Sequence, residues 1–378
     1  MAKKPQLWLI IVLMMFPQIV ETIYSPVLPH IAHQFSVSVE TATQTLSVYF
    51  TAFAIGVVFW GRMADILGRR FSMLAGLCLY GVGAALAILA TSFSMIMIAR
   101  ILTAFGAAVG SVVTQTMLRD SYEGPELGKV FSIMGMGISV SPVLGLLSGG
   151  FLAEQSGHYG IFMALMVLAI VLVTATILRL PETRPDSVNA VPLTTLLATM
   201  LRDSQIWKNA ILVALFNLML FSYYSLAPFI FSDMGLNSEH FGYSGFALAL
   251  GSLLGSIANK RLLQKKLEAQ TLVNAASILA LVAAIGVYLT QHSLLFLLPM
   301  MVVVVCFGIA IPNILGSALA SYKASAGTAG ATFGLMYYLM LGALLGIAGM
   351  IHNLGIVLIA AGVIAVATVL LVNFRRTI

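Results

Sequence analysis

Residues 61–70 read Gly61-Arg62-Met63-Ala64-Asp65-Ile66-Leu67-Gly68-Arg69-Arg70. They close an apolar run over 45–64 and precede another over 71–91. Each run has the roughly 20 residues that a membrane crossing needs. The glycines permit a tight turn between two helices. Asp65 can meet the positive N-terminal end of a neighbouring helix. A short, charged, glycine-rich turn between two membrane-length runs makes this a chain that re-enters the bilayer.

The whole composition agrees. Of 378 residues, 60% are hydrophobic and 8% are charged, against about 25% charged in a soluble domain. Too little polar surface is available to cover a water-soluble globule. A disordered chain, a nucleic-acid module and a secreted disulfide scaffold are excluded. Apolar runs recur over 7–29, 45–64, 71–91, 94–117, 128–153, 159–180, 208–232, 241–261, 271–290, 293–316, 327–351 and 354–374. They are continuous and do not alternate with period two, so they are helices and not barrel strands. The expected fold is an all-α integral membrane protein with twelve transmembrane helices. The first run follows Lys3 and Lys4, is too long for a signal peptide and lacks a small-residue cleavage site. It reads as an uncleaved helix. The two cysteines, Cys78 and Cys306, read as small buried apolar side chains.

Charge sets the orientation. Of the 19 Lys and Arg, all but Arg100 lie in or beside the termini and the even-numbered loops. The positive-inside rule then places both termini in the cytoplasm. The six histidines, at 30, 33, 158, 240, 292 and 352, fall at the opposite face. The longest polar connection, 182–207, divides the chain into six-helix bundles over 1–181 and 208–378. After the eighth span Gly255-Ser-Ile-Ala-Asn259 faintly repeats Gly61-Arg-Met-Ala-Asp65. Two pseudo-symmetric six-helix halves are the plan of a secondary transporter with its substrate site between them near the midplane.

The stretch 61–70 resembles the signature loop of the major facilitator superfamily, G-x-x-x-D-R-x-G-R-R/K, with Ile66 in place of the middle Arg. In that family the Asp meets the start of the eleventh span, here near Gly327, and the contact latches one conformation. The resemblance makes Gly61, Asp65, Gly68, Arg69 and Arg70 a conformational latch. Glu21-Thr-Ile-Tyr24-Ser-Pro26-Val-Leu-Pro29 is similar to the D-M-Y-L-P-x-L-P stretch of the Bcr/CflA drug-efflux transporters. Aligned on the prolines, the family's Asp falls on Thr22. Arg100-Ile-Leu-Thr103-Ala104 is similar to R-x-x-Q-G, and Gly137-Ile-Ser-Val-Ser141-Pro142-Val-Leu-Gly145 to the antiporter motif of the fifth span. Pro312-Asn313 and Gly327-Thr-Ala-Gly330 resemble the same subfamily. The resemblance implies a drug:proton antiporter in the bacterial inner membrane, exporting drugs, metabolites or siderophores by alternating access.

The residues supply their own chemistry. Ionisable groups within spans are functional candidates, and two stand out: Glu21 and Arg100. Their depths are about 12 and 9 Å below the outer edge at 1.5 Å per residue. Desolvation penalises the Glu21 anion, while a nearby Arg favours it. A proton-coupled exchanger can use that competition. An apolar cleft also needs hydrogen-bonding groups for its solute. Gln18, Tyr49, Gln115, Asn217, Tyr223, Asn313 and Tyr337 have suitable depths, as do Tyr224 and Tyr338. Tyr24 sits near the outer end of the first span, where tyrosine also anchors interfaces. Pro142 removes a backbone hydrogen bond and, with Gly137 and Gly145, is expected to bend the fifth span. His30-x-x-His33 has no companion ligand that would make it a metal site. No phosphate-binding loop, catalytic constellation or cofactor motif is present, so an enzyme is not expected. The expected partners are a small-molecule solute, protons and membrane lipid, with no nucleic acid, around a monomer. A symporter or facilitator importing a nutrient is the alternative on the same fold. A transport-dead sensor lacks the soluble domain it would need.

Overall fold

A computed structural model describes residues 4–185, 193–319, 321–322 and 326–376. Lys3, Asp186, Asn189, Pro192 and Lys323 lie outside the described residues. Helices α1 (Leu7–Ile23), α2 (Leu28–Gln34), α3 (Val39–Leu67), α4 (Arg69–Ile88), α5 (Phe93–Ser121) and α6 (Gly124–Arg179) form the first half. Helices α7 (Leu193–Arg202), α8 (Ser204–Asp233), α9 (Ser238–Gln264), α10 (Ala269–Thr290), α11 (Leu297–Ala318), α12 (Ala326–Ile351) and α13 (Leu354–Arg376) follow. Ten of the described helices are long and apolar enough to cross a membrane.

Helix α6 accounts for two crossings. Its 56 residues would measure about 84 Å as one rod, far more than a bilayer. The backbone breaks at Gly157, with φ 56° and ψ −145°. Both ends of α6 return to one face: Glu126 pairs with Lys4 near the N-terminus, and the Ile177 carbonyl accepts from Arg70. Helices α1 and α2 join through the short turn Ser25–Val27 into one crossing. The final apolar helix, α13, completes twelve crossings.

The helix starts follow from local side chains. Ser38 accepts from the Thr41 amide, Ser92 from Met95, Asp203 from Gln205 and Asn237 from His240. Each satisfies donors that a helix leaves open. Many large apolar side chains face outward, including Leu89, Leu289 and Met350 at 70%, 72% and 73% exposure. Such a surface belongs against lipid. Cys306 is buried as expected, but Cys78 is exposed. Apolar surroundings in sequence do not separate lipid-facing from core-facing positions, because both are hydrophobic.

The connection 182–207 is more ordered than a plain polar linker. It contains α7 and the first turn of α8. Tyr322 donates to Asp203 at 2.9 Å, which ties this segment to the end of the tenth crossing.

The two sets of helices meet at the face opposite the termini. Gln44 and Ser47 of α3 donate to the carbonyls of Gly346 and Gly342 of α12, at 3.0 and 2.7 Å. A Cβ on Gly342 would overlap Thr51, so the glycine is what allows this approach. Gly150 of α6 packs on Gly242 of α9. Ser25 donates to the Tyr224 carbonyl, and Ser238 to the Pro26 carbonyl.

Candidate functional site

A cavity of about 310 Å³ lies between the halves. Gln18 and Thr22 of α1 and Ile138, Ser139, Pro142, Val143 and Leu146 of α6 form one wall. The other wall comes from α8, α9, α11 and Tyr337 of α12. None of the 21 lining side chains is charged. The lining extends to Val213 and Leu315, near the termini-facing ends of α8 and α11. On the opposite side an aromatic cluster crosses the seam. Phe50 of α3 packs on Phe221 of α8 at 4.4 Å between ring centroids, and Phe53 on Tyr338 of α12 at 5.0 Å.

Glu21 is not itself part of the cavity lining but adjoins it through Thr22. It lies one helical position from each of Thr22 and Val20, and within Coulombic range of Arg100, Tyr224 and Tyr337. Its exposure is 2%, and Oε1 has no hydrogen-bond partner. Arg100 of α5 is 0% exposed. Its Cζ lies 3.9 Å from the Tyr24 ring centroid and 4.1 Å from that of Tyr49. Such cation–π contacts are worth about 2 kcal/mol each when desolvated. They do not replace hydrogen bonds, and Nε, Nη1 and Nη2 have no partner. Among the described residues the ion pairs are Lys4–Glu126, Arg69–Asp65 and Arg69–Asp120. Glu21 and Arg100 are therefore neighbours in space without forming a salt bridge. An unpaired buried ion costs several kcal/mol, which singles this place out from ordinary packing.

The signature turn holds a second charged cluster. Arg69 donates from Nε to Asp120 at 2.8 Å and from Nη1 to Asp65 at 3.0 Å. A third bond runs from Nη1 to the Ala64 carbonyl at 2.8 Å. Gly68 turns the chain with φ +102°, a conformation that favours glycine. Beyond it, Glu182 accepts from the amides of Arg69 and Arg70 at 2.9 and 3.1 Å. It also accepts from the amides of Thr183 and Arg184. Burial pushes the Glu182 carboxyl up, but the amides of Arg184, Arg69, Arg70 and Thr183 outweigh it and hold the group below the ordinary range. Arg70 itself reaches the Ile177 carbonyl at 2.7 Å. A Cβ on Gly61 would meet Val112 at an ordinary contact distance, so this glycine is not required by close packing there. The side chains of α12's first residues, Gly327 included, lie outside the described residues.

A model of the Major Facilitator Superfamily matches residues 7–350. The chain belongs to the major facilitator superfamily. It is a multi-pass membrane transporter, not an enzyme. An uncharacterized transporter of Rickettsia bellii is 31% identical over 362 residues, covering 92% of this chain and 90% of that protein. The bicyclomycin resistance protein homolog of Haemophilus influenzae is 25% identical over 350 residues, 89% and 86% of the two chains. A solved D-xylose-proton symporter shares the fold with a TM-score of 0.75 at 15% identity, covering 95% of this chain and 96% of that one. Other matching relatives are named for drug resistance, among them the chloramphenicol resistance protein of Pseudomonas aeruginosa, 26% identical over 336 residues, 86% of this chain and 78% of that protein.

Within this major facilitator chain the sequence-picked residues separate into groups. Gln18, Asn217, Tyr224 and Tyr337 line the cavity. Tyr49 lies against Arg100, and Tyr338 joins the aromatic cluster. Three others are outside the cavity lining. Gln115 is half-buried on α5. Tyr223 is fully buried, donates to Ser244 and packs on Phe241. Asn313 donates to Asn259 and to the Ile309 carbonyl, each at 2.7 Å. Depth alone did not distinguish these faces. Pro142 lines the cavity within α6, while the break in helical φ/ψ falls at Gly157. A Cβ on Gly137 would crowd Met15, and one on Gly145 would overlap Thr22 Oγ1. Both glycines bring α6 against α1. Two residues were undervalued in the sequence. Tyr24 is fully buried over Arg100 and is no interfacial anchor. Tyr80 is buried within range of Arg100. Spacing held a clue for Tyr24, which is three residues after Glu21 and so on the same helix face.

Proposed function

We propose that this transporter is a proton-coupled exporter of small, largely apolar organic compounds, working by alternating access. The observation that carries the reading is Glu21, a buried and unpaired carboxyl next to Thr22 in the wall of a cavity whose lining has no charge. A solute enters the cavity from the termini-facing side and packs on Phe221, Phe307 and Tyr337. Gln18 and Asn217 offer it hydrogen bonds. Reorientation exposes Glu21 to the opposite compartment, where it takes a proton. Return to the first state brings Arg100 and Glu21 into competition, and the proton leaves on the other side. Each step changes the charge balance of one buried pair, so solute and proton exchange in turn.

In this reading the termini are cytoplasmic, the membrane is a bacterial inner membrane, and the protein acts as a monomer. The halves are bounded by 1–181 and 208–378, and rock about the seam. The cluster of Asp65, Arg69 and Asp120, with Gly61, Gly68 and Arg70, serves as the latch. Likeness to a bicyclomycin resistance protein homolog supports export. The shared fold with a sugar–proton symporter keeps import on the same machinery as the second reading.

The test uses purified protein in liposomes with a pH-sensitive dye inside. Lipophilic cations, chloramphenicol-like neutral compounds and siderophores are added to wild type and Glu21→Gln. Solute-dependent proton movement that disappears in the variant is expected. Proton movement that survives moves the proton site elsewhere. Solute flux without proton movement sinks the antiport reading and leaves a facilitator.

A further inference from the structure

The place around Arg100 has a surplus of hydrogen-bond donors. The three guanidinium nitrogens and the hydroxyls of Tyr49 and Tyr80 are all buried without partners. The rings of Tyr24 and Tyr49 account for contacts to the guanidinium carbon, so the N–H groups at its edge are what remain to be satisfied. The described carboxylates that form ion pairs, Asp65, Asp120 and Glu126, are held by Arg69 and Lys4. Glu21 is the one carboxyl within Coulombic range of Arg100 among the described residues, and it is not bonded to it. A protonated Glu21 would leave the guanidinium with no counter-charge at all.

A planar guanidinium edge with two unpartnered phenolic hydroxyls within Coulombic range offers the donors that a carboxylate or a halide accepts from. We propose that Arg100, with the hydroxyls of Tyr49 and Tyr80, forms a buried site for a monovalent anionic group. This group neutralises Arg100 whenever Glu21 carries its proton. The ionised Glu21 carboxylate is the competing occupant, so the two alternate on one guanidinium. The inference rests on the Glu21–Arg100 reading above and adds a third, external participant. That participant is either an inorganic anion from solution or the carboxylate of the transported solute.

The experiment is equilibrium binding to the purified full-length protein in detergent, without any gradient, using radiochloride and radiolabelled benzoate as separate probes. Glu21→Gln, which removes the competing carboxylate, should bind at least one probe saturably, about tenfold or more tighter than wild type. That binding should fall by more than about tenfold in Glu21→Gln/Arg100→Gln, and also in Glu21→Gln/Tyr49→Phe/Tyr80→Phe, which keeps every ring. Chloride binding assigns an inorganic anion. Binding of benzoate alone assigns a solute carboxylate. No saturable binding of either probe in Glu21→Gln overturns the proposal and leaves a hydrated cluster. Binding unaffected by both sets of changes also overturns it, since the anion then sits elsewhere. Proton coupling is judged separately in liposomes, so failure of the anion site and failure of antiport are distinguishable.

Discussion

The two halves of this transporter solve the same packing problem with different chemistry. At the pseudo-repeat, Asp65 of α3 is joined through Arg69 to Asp120 at the end of α5. At the corresponding places in the second half, Asn259 of α9 accepts from Asn313 of α11 at 2.7 Å. A charged triad on one side is matched by a neutral amide pair on the other. The contrast continues deeper. Glu21 and Arg100 are both in the first half, whereas 14 of the 21 cavity-lining residues come from the second. The first half concentrates charge, and the second half supplies most of the apolar wall. On the proposed mechanism, this separation would let a charge change in one half leave the cavity wall of the other intact.

The largest effect that would test this contrast is on stability. Arg69→Gln leaves Asp120 half-buried without its cation, and breaking a pair of this kind costs about 3 kcal/mol. A smaller loss in thermal or denaturant unfolding of the solubilised protein would make the triad ornamental. Next comes coupling. Glu21→Gln should lower solute-driven proton flux about 100-fold, equivalent to about 2.7 kcal/mol, with solute binding to the second-half wall retained. Binding and coupling falling together would erase the division of roles. The neutral pair should be cheaper to break. Asn313→Ala should destabilise by about 1–2 kcal/mol, the cost of a lost buried hydrogen bond and the amide left behind, and should leave proton coupling intact.

The smallest effect concerns the cap that links the signature turn to the linker. Glu182→Gln should cost about 0.5–1 kcal/mol, as for an exposed helix cap. The Glu182 carboxyl is held below its ordinary range in the folded protein. Its contribution is therefore full above the ordinary Glu range and is lost as pH falls through the lowered folded value. Hydrogen exchange at the first amides of α4 should speed up in that acid window in wild type. In the variant the same amides should exchange at a rate independent of that titration.

Much of the fold was legible because membrane spans advertise themselves by length and hydropathy, and loops by their Lys and Arg. Glu21 and Arg100 were legible for the same reason, as ionisable residues inside apolar runs. The turn of α6 at Gly157 was legible as well, since it falls in the gap between the apolar runs 128–153 and 159–180. Which helix face each polar residue occupies was hidden. In water an amphipathic stripe marks the buried face. In a bilayer the lipid-facing side is apolar too, so Tyr223 and Asn313 read like Tyr224 and Asn217. Tertiary packing placed the first two within the second bundle and the last two on the cavity wall.

The sequence by itself determined that this chain crosses the membrane repeatedly, where it turns, and which two charges lie within the bilayer, since desolvation makes those choices one residue at a time. Only the tertiary structure decided that Arg100 lies between Tyr24 and Tyr49 instead of against Glu21. It also decided that the halves close on the face opposite the termini. Both depend on how separate helices pack, through contacts such as Ser47 with Gly342 that no single segment encodes.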